Sequence, residues 1–411
     1  MLTKTKQSES KKIPKLRFGG FLGGWEEKKL GDVAKFWNGK AHEKDISESG
    51  KYIVVNSKFI SSNGVVKKYS NKEISPLKKD DISIVMSDIP NGKAIAKCFL
   101  IDQDERYTLN QRIGGIKSKE IISPFLFSIL NRNKYYLKFD NGVSQTNLRK
   151  DEVLRCPIIF PSISEQQKIA DFLGAVDKWI ENLRAQKQSF EEYKKRMMQK
   201  IFSQEVRFKG DSGNNFPVWE LNMLAEVGKA YNGLSGKSGE DFGEGDSFIT
   251  YKQIFDKSEI NIQKYALVKV GVKEKQNKAQ FGDIFFTTSS ETPLEVGFSS
   301  VMLDKNSAPF LNSFSFGFRP DSLKVLDPYF AKFFFRSFLF RKEIVKLAQG
   351  STRYNISKIG FMKIKFLFPS LPEQQKIADF LTKLDNLIGS KQQQITQAEN
   401  WKKGLMQGLF V

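Results

Sequence analysis

The sequence predicts an α+β protein: two mixed α/β domains joined by two long shared helices that form an antiparallel coiled coil, related by a pseudo-two-fold internal duplication. Three observations predict it. The string EQQKIADFL occurs twice, at residues 165–173 and 373–381. Around and beyond each copy, apolar residues recur at alternating steps of three and four, the 3.5-residue period of a coiled-coil seam. Ahead of each copy lie short β-prone runs separated by polar turns, and these two stretches share little with each other.

Nine consecutive identities mark a duplication. The same offset of 208 residues, from 165 to 373, pairs Asp177 with Asp385, Lys194-Lys195 with Lys402-Lys403, Met198-Gln199 with Met406-Gln407, and Phe202 with Phe410. Backwards it pairs Phe160-Pro161-Ser162 with Phe368-Pro369-Ser370, and Asn147 with Asn355. A weaker echo opens each unit: Trp25-Glu26, Leu30, Val33 and Asn38-Gly39 match Trp219-Glu220, Leu224, Val227 and Asn232-Gly233. The division that follows is a basic extension over 1–19, a domain over 20–160, a helix over 161–203 and a linker over 204–213. A second domain covers 214–368 and a closing helix 369–411.

Each long helix opens on Ser-x-x-Glu, Ser162 to Glu165 and Ser370 to Glu373, the form of a capping box. Pro372 falls in the first turn, where it is tolerated. The first seam runs through Ile169, Leu173, Val176, Ile180, Leu183, Phe190, Met197 and Ile201, the second through Ile377, Leu381, Leu384, Ile388, Ile395, Ala398, Leu405 and Leu409. Lys187, Lys194, Lys391 and Lys402 interrupt it, weakening the pairing while fixing its register. A helix over 164–202 is roughly 58 Å long. A parallel pair would need the connection 203–219 to run back along that length fully stretched, so an antiparallel pair is expected.

The middles read as strand-rich. Runs at 81–86 and 283–288 lead into polar turns, 87–92 and 289–293. Ser123-Pro124 and Asp327-Pro328 look like N-cap-then-Pro helix starts, and Asn141-Gly142 and Gln349-Gly350 mark later turns.

Composition bounds the chemistry. Sixty-six Lys plus Arg against 46 Asp plus Glu leave +20 at a pI near 9.6, which favours a polyanionic partner, DNA or RNA before an anionic membrane. A basic surface kept for solubility is the plainer alternative. Cys98 and Cys156 are the only cysteines and His42 the only histidine. Structural zinc, an iron–sulfur cluster and a disulfide scaffold are therefore excluded, and imidazole acid–base chemistry would have to run through His42 alone. The start carries Lys4, Lys6, Lys11, Lys12, Lys15 and Arg17 without the apolar core of a signal peptide. The strongest apolar stretch, 329–340, is interrupted by Lys332 and Arg336 and too short to span a bilayer. A cytoplasmic chain with no membrane partner is expected.

Catalytic motifs fail one by one. Gly236-Lys237-Ser238 resembles the end of a phosphate-binding loop, but Tyr231 stands where the earlier glycine belongs. Pro320-Asp321 has no Glu-x-Lys after it to complete a nuclease metal motif. There is no Pro-Pro dipeptide for an amino-methyltransferase signature and no G-x-G-x-x-G. No catalytic residue, metal ligand or cofactor site is assigned.

Polar turns can read base edges, because Asn, Gln, Ser, Arg and Lys hydrogen-bond in the major groove. The candidates are Ser87, Asp88, Asn91, Lys93, Gln145, Thr146, Asn147 and Arg149 in the first domain. In the second they are Ser289, Ser290, Glu291, Thr292, Ser351, Thr352, Arg353 and Asn355. The alternative for each is an ordinary solvated loop, with Asn147 and Asn355 capping the return to the helix. Lysines elsewhere would add phosphate contacts.

The duplicated Pro-Ser-x-x-Glu-Gln-Gln-Lys-Ile at 161–169 and 369–377, the Trp-Glu-x-x-x-Leu opening of each unit, and the alternation of dissimilar and shared regions resemble the specificity subunit of type I restriction–modification enzymes. The resemblance covers nearly the whole chain. It implies two target-recognition domains, each reading one half of a split double-stranded DNA sequence. It implies that the repeated helices set the gap and dock two methyltransferase subunits, with Gln166, Gln167, Gln374 and Gln375 on the docking surface unless they cap or pair within the coiled coil. It places S-adenosylmethionine, adenine methylation, and ATP-driven translocation and cleavage in methyltransferase and restriction subunits, with Mg in the partners and no cofactor in this chain. Dissimilar middles then imply an asymmetric target. Two rival readings remain: a self-contained nuclease or methyltransferase, which lacks a motif, and a basic coiled-coil scaffold without sequence readout, which leaves the two dissimilar domains unexplained.

Overall fold

The computed structural model describes residues 2–4, 12–89 and 92–411. The chain divides into two units, one of Met1–Leu183 with Gln394–Val411 and the other of Arg184–Gln393. The division cuts both long helices, Ile163–Phe202 and Leu371–Leu409, so each unit holds part of each.

In the first unit Ile82–Val85 is buried along its whole length, as a strand covered on both faces requires. It lies inside a four-stranded antiparallel sheet ordered Cys98–Leu100, Ile82–Val85, Ile113–Ser118, Ala34–Asn38. A five-stranded mixed sheet accompanies it, with Tyr107–Leu109 parallel to Tyr52–Val55. Glu26–Lys29, just after Trp25, pairs with Pro157–Phe160 and so joins the start of the domain to its end.

The second unit follows the same plan. Its four-stranded sheet is ordered Ser299–Val301, Ile284–Thr287, Ser315–Pro320, Gly228–Asn232. A three-stranded sheet holds one parallel pair, Phe248 beside Phe310. Glu220–Met223 pairs with Lys365–Phe368.

The repeated Asn-Gly has a steric cause. A Cβ on Gly39 would lie 2.0 Å from the carbonyl oxygen of Asn110, and one on Gly233 2.1 Å from that of Asn312. Only glycine lets the backbones approach so closely.

Each core takes in helix residues. Trp25, Phe125 and Tyr136 pack with Ile169, Leu173, Leu405 and Leu409 in the first unit. Phe286, Phe316, Phe318, Phe335, Phe340 and Phe361 pack with Ile201, Phe202, Ile377 and Leu381 in the second. A separate cluster in the first unit joins Val176, Ile180 and Leu183 to Ile395 and Ala398. Lys402 reaches Asp177 at 2.5 Å in the first unit, and Lys194 reaches Asp385 at 2.5 Å in the second. These are the same two positions under the 208-residue offset, so two of the seam lysines are paired rather than merely disruptive.

The Ser-x-x-Glu capping box is not what forms. Glu165, 1% exposed, receives Nε of Arg17 at 2.8 Å and Nη2 at 2.7 Å. Glu373 receives Nε of Arg207 at 3.1 Å, Nη2 at 2.6 Å, and the Trp219 indole N–H at 3.0 Å. A carboxylate engaged by a bidentate guanidinium is not reaching back to its own N-cap, and Ser370 Oγ is buried without a partner among the described residues. Trp25 Nε1, the counterpart of the Trp219 donor, is likewise buried without an acceptor among the described residues. The helix start at Ser123 also differs from expectation: the helix is Ser123–Leu130, capped by Ile122 without a side-chain bond. Asp327 does cap Pro328–Phe334, accepting the Phe330 N–H at 2.8 Å.

Candidate nucleic-acid interface

Four of the candidate turns come together as two ribbons. Ser87–Asp88 pairs antiparallel with Thr146–Asn147, setting Ser87 opposite Asn147 and Asp88 opposite Thr146. Ser289–Ser290 pairs with Tyr354–Asn355, setting Ser289 opposite Asn355. The register is the same in both units.

The ribbon fixes which side chains are free to meet a ligand. In the first unit Gln145 and Asn147 are exposed, with Gln145 Nε2 on Ser87 Oγ at 2.7 Å and on Asn147 Oδ1 at 3.3 Å. Lys93 and Arg149 are exposed, and neither forms an ion pair among the described residues. Arg132 braces the same loop, donating to the carbonyls of Lys93 at 3.0 Å and Ile95 at 3.2 Å. In the second unit Glu291, Thr292, Ser351, Thr352, Arg353 and Asn355 are exposed. Thr292 donates to Glu295 at 2.9 Å, and Arg353 forms no ion pair among the described residues. Asn91 lies outside the described residues.

Several candidates serve the fold instead. Asp88 accepts the backbone N–H groups of Ile89 (2.9 Å), Ala94 (2.6 Å) and Ile95 (3.0 Å), so its carboxylate is engaged by nearby main chain. Thr146 is buried and donates to Asp140 at 2.9 Å. Ser87, Ser289 and Ser290 are buried too, and the Ser289 carbonyl accepts the Tyr251 hydroxyl at 2.6 Å. Burial pushes that tyrosine's pKa up, keeping the hydroxyl a donor.

The expected docking residues divide in the same way. Gln166 and Gln374 are each 1% exposed. Gln166 accepts the Ile122 N–H at 3.0 Å and donates to the Pro161 carbonyl at 2.8 Å. Gln374 accepts the Asp327 N–H at 2.9 Å and donates to the carbonyls of Val325 and Pro369, both at 2.9 Å. Both amides are thus spent clasping a domain helix start to a long helix, which corrects their placement on a partner surface. Gln167 and Gln375 remain exposed.

Other chemistry is absorbed by the fold. Lys237 of the Gly-Lys-Ser turn pairs with Glu274 at 2.7 Å, and that hydrogen bond lowers the Glu274 carboxyl to about 2. A lysine so engaged is not reaching for a phosphate. His42 is 1% exposed, with Nδ1 2.7 Å from the Lys40 carbonyl and Nε2 2.9 Å from Thr108 Oγ1. Among the described residues no group of three or more His, Cys, Asp or Glu could hold a metal ion, and no helix is long and apolar enough to cross a membrane.

One turn beside each ribbon escaped the sequence reading, residues 110–112 and 312–314. Its only sequence signal was indirect, the repeated Asn-Gly that presses on Asn110 and Asn312.

The family model for the type I restriction modification DNA specificity domain matches residues 23–192 and 218–400. The chain is 25% identical over 412 residues to the type I restriction enzyme MjaVIII specificity subunit of Methanocaldococcus jannaschii, covering 93% of this chain and 91% of that protein. Its fold is similar to the crystal structure of a type I restriction–modification S subunit from M. genitalium, with a TM-score of 0.55 at 16% identity, over 97% of this chain and 99% of the other. A chain from a structural study of complex assembly and conformational transition in a type I R-M system matches with a TM-score of 0.57 at 17% identity, over 94% and 96%.

Proposed function

Because the chain belongs to the type I restriction modification DNA specificity domain family, and is a non-catalytic DNA-recognition component, we propose that each of its two units reads one half of a split, asymmetric DNA target. One observation carries this reading: the two ribbons share a backbone register, Ser87 opposite Asn147 and Ser289 opposite Asn355, yet present different exposed side chains. A common scaffold with unlike polar tips suits one mode of docking and two different sequences. The unpaired Lys93, Arg149 and Arg353 and the net charge of +20 supply attraction to phosphates.

The long helices, in this reading, form an antiparallel coiled coil under a pseudo-two-fold duplication and set the unspecified gap. The paired contacts Asp177–Lys402 and Lys194–Asp385 support it. A helix of roughly 58 Å is compatible with half-sites one to two DNA turns apart, at about 34 Å per turn. The helices dock two methyltransferase subunits, through a surface that includes Gln167 and Gln375, and restriction subunits join the complex in the cytoplasm. By resemblance to the family, S-adenosylmethionine, ATP and Mg are assigned to those partners, with no cofactor in this chain.

The test is co-expression with the matching methyltransferase subunit in a methylation-free host, followed by single-molecule sequencing for N6-methyladenine. Two short specified blocks around a fixed gap are expected. A stable complex that methylates no motif would sink the reading and leave a non-specific scaffold in its place.

A further inference from the structure

In each unit a turn abuts the root of the ribbon. Residues 110–112 connect strands Tyr107–Leu109 and Ile113–Ser118 in the first unit, and residues 312–314 connect Phe310–Leu311 and Ser315–Pro320 in the second. The two turns are built alike. Asn110 N–H donates to the Val55 carbonyl at 3.1 Å, and Asn312 N–H to the Ile249 carbonyl at 3.0 Å. Ile113 N–H returns to the Asn110 carbonyl at 3.3 Å, and Ser315 N–H to the Asn312 carbonyl at 3.2 Å. Gly39 and Gly233 press against the same two carbonyls. Finally, the residue that leads into each ribbon bonds to the last residue of each turn: Met86 N–H to the Arg112 carbonyl at 3.0 Å, and Thr288 N–H to the Phe314 carbonyl at 3.0 Å. Arg112 and Phe314 therefore occupy equivalent positions, each one hydrogen bond from the residue that precedes Ser87 or Ser289.

The side chains at this shared position differ in kind. Arg112 is exposed, and its guanidinium makes no hydrogen bond or ion pair among the described residues. Its backbone stands at φ 64°, a left-handed conformation that is costly for a residue with a Cβ. Phe314 is 58% exposed, a large aromatic face in water. Phe314 belongs to none of the second unit's hydrophobic clusters, and Arg112 is one of seven non-glycine residues among those described that take a positive φ, a strain that a functional site can use.

We propose that Arg112 and Phe314 are specificity-determining residues, each selecting one base pair in the half-site its unit reads. Arg112 pairs with the O6 and N7 acceptors of guanine, and Phe314 packs on the C5-methyl group of thymine. The equivalent backbone placement supplies the reach and the unlike chemistry supplies the difference between the two halves. This assignment rests on the reading of the units as base readers given above.

The experiment uses the full chain co-expressed with its methyltransferase subunit, and the readout is the methylated motif. Variants R112G and R112Q, with F314S and F314Q, give two independent changes at each position. R112G keeps the turn, because glycine adopts the left-handed conformation without penalty. The expected result is that the Arg112 variants relax one G·C position in one block by about 10- to 100-fold and leave the other block unchanged. The Phe314 variants relax one A·T position in the other block only. Unchanged stringency in all four would overturn the assignment. So would an even loss of methylation at every copy of the motif in the Arg112 variants, which marks a phosphate contact. A wild-type complex that methylates no split motif would overturn the underlying reading as well, and that outcome is visible before any variant is made.

Discussion

Asn147 stands directly across from Ser87 in an antiparallel pair, and Asn355 stands across from Ser289 in the same register. Both asparagines are exposed while both serines are buried, so the ribbon presents an amide and hides a hydroxyl. An asparagine amide can bond adenine at two points, worth about 1–3 kcal/mol of discrimination. Asn147→Ala is therefore expected to relax one block of the methylated motif and leave the other unchanged. Asn355→Ala should do the converse, and sequencing both methylomes checks the pair. Loss of both blocks from either substitution would argue for a shared structural role.

The Arg17–Glu165 pair is 6% and 1% exposed at its side chains. Arg17→Ala leaves a carboxylate buried without its counter-ion, expected to cost about 3–5 kcal/mol. Deleting residues 1–18 removes the same guanidinium and should lose at least as much. Urea denaturation of the two variants against wild type measures both. A change under about 1 kcal/mol, the worth of an exposed ion pair, would mean the clamp is solvated in solution.

Phe361 is fully buried, with ring centroids 4.6 Å from Phe286, 5.0 Å from Phe316 and 5.8 Å from Phe318. Phe361→Ala should cost about 3–5 kcal/mol through lost transfer energy and the cavity left behind. Thermal melting reports it, and Phe361→Leu should recover much of the loss.

Cys98 and Cys156 are both buried and unbridged. Burial pushes the Cys98 thiol far above the ordinary range and the Cys156 thiol up to about 11. Only the thiolate reacts, and a two-unit rise from 9.0 leaves roughly 100-fold less of it at pH 8. The native chain should give almost no fast titre with a thiol reagent at pH 8, the rate rising with pH. Two equivalents should appear in denaturant. A rapid native equivalent would show that one core opens easily.

Adding seven residues to each long helix, near the middle of its seam, preserves the 3.5-residue register. The unspecified gap between the two blocks is expected to widen, with both blocks unchanged. An unaltered gap would remove the ruler role from the helices.

Much of this was legible in the sequence because it rests on local signals. The polar turns after 81–86 and 283–288 mark the ribbons, and the repeated nonapeptide marks the helices. What the sequence concealed depends on contacts between distant residues. Ser162-x-x-Glu165 satisfies a local capping rule, yet its glutamate is taken by Arg17, 148 positions away. The resemblance puts the glutamines beside it on a docking surface, yet Gln166 reaches Ile122 and Gln374 reaches Asp327. Asp88 fits a base-reading pattern, but its carboxylate is already engaged by three backbone N–H groups, of Ile89, Ala94 and Ile95. Arg112 and Phe314 lie in turns with no compositional signature, and only the hydrogen bonds from Met86 and Thr288 bring them to the ribbons.

The clasp made by Gln166 and Gln374 asks almost nothing of the domain it holds. Each glutamine grips a backbone N–H at a helix start, of Ile122 in one unit and Asp327 in the other, and a main-chain N–H is the same whatever side chain follows. Interior sequence can therefore drift, or be exchanged wholesale for a foreign one, provided a helix begins at that spot and the opening and closing strands still meet. Such a socket is indifferent to its cargo. A lineage under pressure to change the word it recognises could do so by substitution of a whole cassette, without re-engineering the framework that carries it.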